Sequence, residues 1–161
     1  LVIDGISLSQ TGAISRFCGK LSGLYPIDDD LLAAKIDQVI DMATDITVLF
    51  SNFRKISETD IILKNRKVFF DQFITNKLTL LENFLLSETS LSNATTLFIS
   101  DITIWRVLGW LSSGIIDGFP TDFVHKFPAM QEICIKVEET NSIIEWIEKT
   151  YPENYVRGNY Q

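Results

Sequence analysis

Three groups of residues in this chain of 161 residues have the types and spacing to do chemistry. The first is Gln10-Thr11, at the point where an apolar-polar alternation gives way to a helical pattern. A helix start presents unpaired N–H groups and the positive end of the helix dipole, so a Thr hydroxyl and a Gln amide there can bind a carboxylate; from the residues alone, capping the helix is the favoured job. The second is Asp37, Asp41 and Asp45, spaced four apart along one long helix. Steps of four keep them on one slowly drifting face about 12 Å long. Like charges so placed weaken a helix slightly. They read as a solvated acidic face, or alternatively as a face that meets a cation such as a ligand ammonium. The third is Asp101, a carboxylate inside an otherwise apolar helical stretch. Buried, it must be paired or hydrogen-bonded, and its place near a helix start points to a structural role accepting backbone N–H bonds. Trp105 and Trp110, in the same stretch, read as core or pocket wall.

Other chemistries find little support. The one histidine, His125, has no partner at metal-ligand spacing and reads as a surface residue, and the two cysteines form no CxxC or CxxxH pattern, so no metal is expected. Cys18 and Cys134 read as reduced core thiols of a cytoplasmic protein. Gly12, Gly19 and Gly23 match no nucleotide loop. A net charge of -7 argues against a nucleic-acid partner, since phosphate binding needs a positive face; Lys64-Asn65-Arg66-Lys67 is the best exception and reads as a solvated helix face. No apolar run reaches the roughly 20 residues of a membrane helix, and no basic segment precedes an apolar one at the N-terminus.

The elements that must position these groups follow from periodicity. Leu1-Val2-Ile3, Asp4-Gly5 and Ile6-Ser7-Leu8 spell a two-residue hairpin, marginal by itself, so that it must dock on the chain or find sheet partners upstream. A helix runs from about Gln10 to Leu21 and stops at Gly23. Tyr25 to Asp30 reads as a linker and domain boundary, one of its acids capping the next helix. From Leu31, apolar residues at steps of three and four mark a long amphipathic helix, and a second fits about Ser57 to Ser87 with a capping region at Ser57 to Asp60; the two form an antiparallel pair. Residues 87–95 read as a polar loop. Leu97 to Leu111, apolar on nearly every side, belongs in the middle of a bundle. Gly114 ends it, Gly118-Phe119-Pro120 turns the chain, Phe127-Pro128 opens an amphipathic helix, and Asn141 to Thr150 is a short one broken by Tyr151-Pro152. The tail from Glu153 to Gln161 is expected to lie loosely on the surface.

The pattern Val2-Ile3-Asp4-Gly5-x-x-Leu8-Ser9-Gln10-Thr11-x-Ala13-Ile14-x-Arg16-Phe17 resembles the last strands and third helix of the thioredoxin-like domain of cytosolic glutathione S-transferases, particularly the sigma-like class. The similarity continues through Ile36-Asp37-x-Val39-Ile40-Asp41, the Asp101 helix, and Phe127-Pro128 to Trp146, and so spans nearly the whole chain. The resemblance implies a mainly α fold, in which residues 1–25 are the end of a thioredoxin-like α/β domain and residues 26–161 an all-helical C-terminal domain, usually in a two-fold homodimer.

It implies that Gln10 and Thr11 hold the γ-glutamyl carboxylate of glutathione, Thr11 standing where Ser is usual. Asp45 would reach the γ-glutamyl ammonium in the partner subunit, and Thr47, Thr103, Val107 and Trp110 would wall a pocket for a small hydrophobic electrophile. Glutathione is then the co-substrate of a transferase that conjugates electrophiles or isomerises a lipid peroxide. The family's thiolate-stabilising Tyr and its cis-Pro have no counterpart in these residues, so these 161 residues alone are expected to be inactive. The family's capping box places Ser or Thr three residues before the Asp, where this chain has Phe98, so that Asp101 finds other donors or Thr95 or Thr96 caps a shifted start. The alternatives are a non-catalytic relative, crystallin-like or ligand-storing, and a protein-interaction domain of the same fold.

Overall fold

The computed structural model describes residues 1–53, 65–153 and 155–160. Strands β1 (Val2–Ile3) and β2 (Ile6–Ser7) pair antiparallel, Val2 opposite Ser7 and Ile3 opposite Ile6. Asp4 and Gly5 both have positive φ, 49° and 80°, the turn that matches the right-handed twist of its strands. Both strands are exposed. Helix α1 (Thr11–Ser22) ends where expected, Gly23 taking the left-handed conformation (φ 74°) and returning its N–H to the Gly19 carbonyl.

Helix α2 (Asp30–Phe53) starts at the acidic run. Asp29 is the cap, its Oδ1 accepting the Leu32 N–H at 2.9 Å. The expected linker is only partly one: Tyr25 is buried in the core, and the Leu24 carbonyl accepts the Ile99 N–H at 2.9 Å. The second long helix is described from residue 65; its expected cap, Ser57 to Asp60, lies outside the described residues. Residues 65–69 are α-helical, Phe70–Ile74 form a π-helical turn, and α3 (Thr75–Ser87) continues the path. The π turn is closed by an i to i+5 bond from the Thr75 N–H to the Phe70 carbonyl.

The long helices are antiparallel, as expected. Phe53 stacks on Phe69, Asp45 pairs with Lys77 at 3.0 Å, and Lys35 pairs with Glu88 at 2.6 Å, so the partner advances as α2 is retraced. The expected polar loop after α3 instead contains a single helical turn, α4 (Thr89–Ser92), because Leu91 is buried within it.

Helix α5 (Ile99–Ser112) is the central pillar and packs on α1, on α2 and on α6 (Pro128–Glu138). A 3₁₀ turn, Val124–Lys126, leads into α6, and α7 (Asn141–Thr150) follows with the expected stop at Tyr151-Pro152. The core is built from Ile36, Val39, Ile40 and Ile46 of α2, Ile74, Leu78 and Leu85 of the second hairpin arm, Ile104, Leu108 and Leu111 of α5, and Met130, Ile133 and Val137 of α6.

Both buried helix starts are closed by carboxylates. Asp101 is 1% exposed; its Oδ2 accepts the Phe98 N–H at 3.0 Å and pairs with Lys136 of α6 at 2.7 Å. Phe98 has no side-chain acceptor, so only this half of a capping box exists, and Lys136 supplies the further partner that the sequence left open. Glu82 of α3, 5% exposed, accepts the Ala129 N–H at 2.7 Å and the Met130 N–H at 3.1 Å. Pro128, as first residue of α6, has no N–H to satisfy, so one carboxylate from a neighbouring helix covers the next two.

The tail is not loose. Arg157 pairs with Glu138 at 3.0 Å, the Asn159 N–H donates to Ser112 Oγ at 2.8 Å, the Tyr160 hydroxyl donates to the Trp105 carbonyl at 3.0 Å, and Gln131 donates to the Tyr160 carbonyl at 2.8 Å. The chain can lie this close to α5 because Gly109 and Gly158 meet backbone to backbone. A Cβ on Gly109 would collide with the Arg157 carbonyl and the Tyr160 hydroxyl, and one on Gly158 with the Gly109 Cα. Burial, foremost, raises the pKa of the Tyr160 phenol.

Two stability outcomes follow. Glu82→Leu strands two buried N–H groups and is expected to cost about 3 kcal/mol in urea unfolding with an unchanged m-value, whereas Glu82→Gln, which keeps an acceptor, costs about half as much. Burial raises the pKa of Asp101 from 3.8, partly offset by the Lys136 ammonium and the Phe98 N–H. The folded protein therefore holds this proton more tightly than the unfolded chain. The resulting stabilisation is full below the ordinary carboxylate pKa and is lost as pH rises through the raised folded value. Asp101→Asn is expected to remove this fall from a series of urea midpoints taken across acidic pH; an unchanged slope counts against it.

Candidate functional site

Gln10 is the residue before α1, and its backbone is left-handed, φ 71° and ψ 121°, a conformation costly for a residue with a Cβ. Capping was the favoured reading, and the structure does not support it: Gln10 makes no side-chain cap hydrogen bond. Both Gln10 and Thr11 are exposed. The first N–H groups of α1 thus have no side-chain cap, and two exposed polar side chains stand beside them, an arrangement able to accept a carboxylate.

The helix carrying this corner is fixed by a polar clamp. Arg16 donates from Nε to Asp37 at 2.6 Å and from Nη2 to Asp41 at 2.8 Å, and the Tyr25 hydroxyl donates to the same Asp37 oxygen at 3.0 Å. Two members of the acidic stripe thus meet a cation, but it is the chain's own guanidinium, not a ligand's, and the simple solvated face is corrected to that extent. Burial by itself would lower the Arg16 pKa; the hydrogen bonds and charges of Asp37 and Asp41 outweigh it and hold the guanidinium above its ordinary value. The Tyr25 phenol is raised by burial and by Asp37.

Asp45 stands one helical turn beyond Asp41 and is engaged by Lys77 of α3. Within one chain it is therefore turned to the second hairpin arm, while Gln10 and Thr11 stand at the start of α1. Its side chain is 63% exposed, so a molecule arriving from outside can reach it.

The four residues expected to wall an electrophile pocket are placed on α2 and α5. Thr47 is exposed and donates to the Ala43 carbonyl at 3.2 Å; Thr103 is half-buried and donates to the Ile99 carbonyl at 2.9 Å. Val107 packs on the core, and Trp110 sets its ring edge-on to Phe50, centroids 5.1 Å apart. Both threonine hydroxyls are thus committed to their own helices. Clefts of about 320 to 470 Å³ on the described surface are lined by other residues.

Among the remaining candidates, Trp105 is buried and donates from Nε1 to Glu138 at 2.6 Å. His125 is exposed, as expected. Cys134 is buried, its thiol pushed far up by burial, but Cys18 is exposed, which corrects its reading as a core thiol: α1 turns that position outward. Among the described residues no group of three or more His, Cys, Asp or Glu side chains is placed to hold a metal, and no helix is long and apolar enough to cross a membrane.

Sequence reasoning gave no role to Arg16, Tyr25, Glu82 or Lys136. Each acts on a residue far along the chain, and no local pattern announces the pairing. No family model matches the chain, and no curated protein matches it.

Arg16→Met is expected to lower stability by about 1 kcal/mol in urea unfolding, since the lost bonds are charge-assisted yet partly exposed. The deficit should shrink in roughly 1 M salt, and a salt-independent deficit would point to packing of the side-chain stem instead.

Proposed function

We propose that this chain forms part of a glutathione-binding transferase, in which glutathione is joined to a small electrophile. The observation that carries this reading is the strained, uncapped corner at Gln10-Thr11. A non-glycine residue is held at φ 71° where the helix start has no side-chain cap, and strain of this kind gathers at ligand sites. A γ-glutamyl carboxylate supplies the missing acceptor, with the Gln10 amide and Thr11 hydroxyl as donors to it. The corner sits on a helix that Arg16 ties to α2, so the donors would be positioned before the ligand arrives.

The ammonium of the same γ-glutamyl group needs an anion. Asp45 is the member of the acidic stripe that Arg16 leaves available, and the reading takes it from a second copy of the chain in a two-fold homodimer. In the reaction the glutathione thiol loses its proton to solvent, a bond forms between its sulfur and the electrophilic carbon, and the bond to the leaving group breaks as that group departs with the electron pair. No residue among these 161 is assigned to activating the thiol. The small electrophile would lie near Thr47, Thr103, Val107 and Trp110.

The Asp45–Lys77 ion pair favours a second reading, a non-catalytic domain of similar build, because there Asp45 has an internal partner and needs no ligand. Calorimetric titration with glutathione separates the two. The binding reading expects saturation within the millimolar range, about tenfold weaker binding for Asp45→Ala and for Thr11→Ala, and no loss for Lys77→Ala, which frees Asp45. Sedimentation should find the Asp45→Ala dimer intact. Absence of binding at millimolar glutathione rejects the proposal, and equal affinity of Asp45→Ala rejects the cross-dimer role.

A further inference from the structure

Where α5 and α7 face each other, a cleft of about 340 Å³ opens between Ile102, Trp105 and Arg106 on one side and Ile143, Trp146 and Tyr151 on the other. Its walls are almost wholly apolar, and it is of the size that small-molecule sites have. Trp146 is 47% exposed, an unusual position for so large an apolar ring. Tyr151 meets that ring edge-on at 5.4 Å, and Tyr155 stacks on Tyr151 at 4.5 Å. The outer wall is thus a braced aromatic surface. The inner wall is fixed as well, Trp105 being held through its indole N–H by Glu138.

Among the described residues that line the cleft, one is charged. Arg106 is exposed and makes no ion pair or hydrogen bond with any described residue, in contrast to Arg16, Arg66 and Arg157, which are all paired. Among the described residues no carboxylate lines the cleft. An arginine at the edge of an apolar wall lays its hydrocarbon stem along that wall and leaves its guanidinium at the mouth. In a chain with net charge -7, a guanidinium that no carboxylate among the described residues pairs, set beside an apolar slot, is a local exception, and it selects for an anion with an apolar body.

We propose that this cleft binds a small amphipathic carboxylate, its flat or aliphatic body between Trp105 and Trp146 and its carboxylate on Arg106. This goes beyond the glutathione reading and does not rest on it. The residues concerned lie about a third of a turn around α5 from Thr103, Val107 and Trp110, so the cleft is a separate place from the expected electrophile wall.

The full chain is titrated with 2-naphthoate and, separately, with neutral 2-naphthalenemethanol, following heat and the indole N–H signals of the three tryptophans by NMR. The proposal expects saturable binding of the carboxylate, at least about tenfold tighter than of the alcohol, with the Trp146 indole moving and Trp110 still. Arg106→Gln should bring the carboxylate down to the alcohol's affinity, and Trp146→Ala should weaken both; each changes an exposed side chain, so folding is retained and is checked by circular dichroism. The proposal is overturned by absence of saturation into the millimolar range, by equal binding of acid and alcohol, or by an Arg106→Gln protein that binds the acid as well as the parent does. Because the probes contain no thiol or γ-glutamyl group, failure here leaves the glutathione reading untouched.

Discussion

The bundle hangs on the buried start of its central helix. Helix α5 is apolar around nearly its whole circumference and is therefore packed on several sides, which places its unpaired N-terminal N–H groups where water cannot satisfy them. The Asp101 carboxylate covers one of them, and desolvating it costs free energy that Lys136 must offset. That pairing fixes α6 against α5. Glu82 then repeats the device one layer out, fixing α3 against the start of α6. Helix order in this molecule is thus set by where buried backbone donors find carboxylates as much as by apolar contact. Leu24, which accepts the Ile99 N–H, ties the segment after α1 into the same joint.

The periodic features of the sequence carried over well, for a physical reason. The stripe of α2, the turn chemistry of Asp4-Gly5, the stop at Gly23 and the break at Tyr151-Pro152 are local: each depends on φ/ψ preference or on which face of one helix is apolar. The requirement that Asp101 be paired was also legible, since a carboxylate inside an apolar helix admits few solutions. Its partner was not, because Lys136 looks like any surface lysine until α6 is folded against α5. The tail was misread for a related reason. Its residues are polar and aromatic, and what docks them is the absence of side chains at Gly109 and Gly158, a feature that signals only when both are brought together.

The candidate site was legible to a different degree. Gln10-Thr11 stands at a helix start as the spacing required, yet its backbone strain is invisible in a residue string, because glutamine carries no local preference for φ near 71°. The acidic stripe was legible as a face, whereas its division into Arg16-bound Asp37 and Asp41 and Lys77-bound Asp45 depends on two neighbouring helices. The aromatic cleft left a weaker trace still: Trp105 and Trp146 are far apart in the chain, and only the fold makes them walls of one cleft.

The π turn at Phe70–Ile74 sets the phase of the second long helix. A π turn takes in an additional residue without lengthening the helix by a full turn, so residues on its two sides are out of step by about one residue's rotation, roughly 100°. At this turn Phe69 stacks on Phe53 and Phe70 meets Phe119 and Phe123 edge-on, while Leu78, Leu81 and Leu85 beyond it are buried in the core. The arm is in effect two helices of different phase written as one. In such an arm the count of residues is a constraint in its own right: a single deletion at the turn could restore regular α-helical hydrogen bonding and yet rotate one half's apolar face away from the partner it now meets.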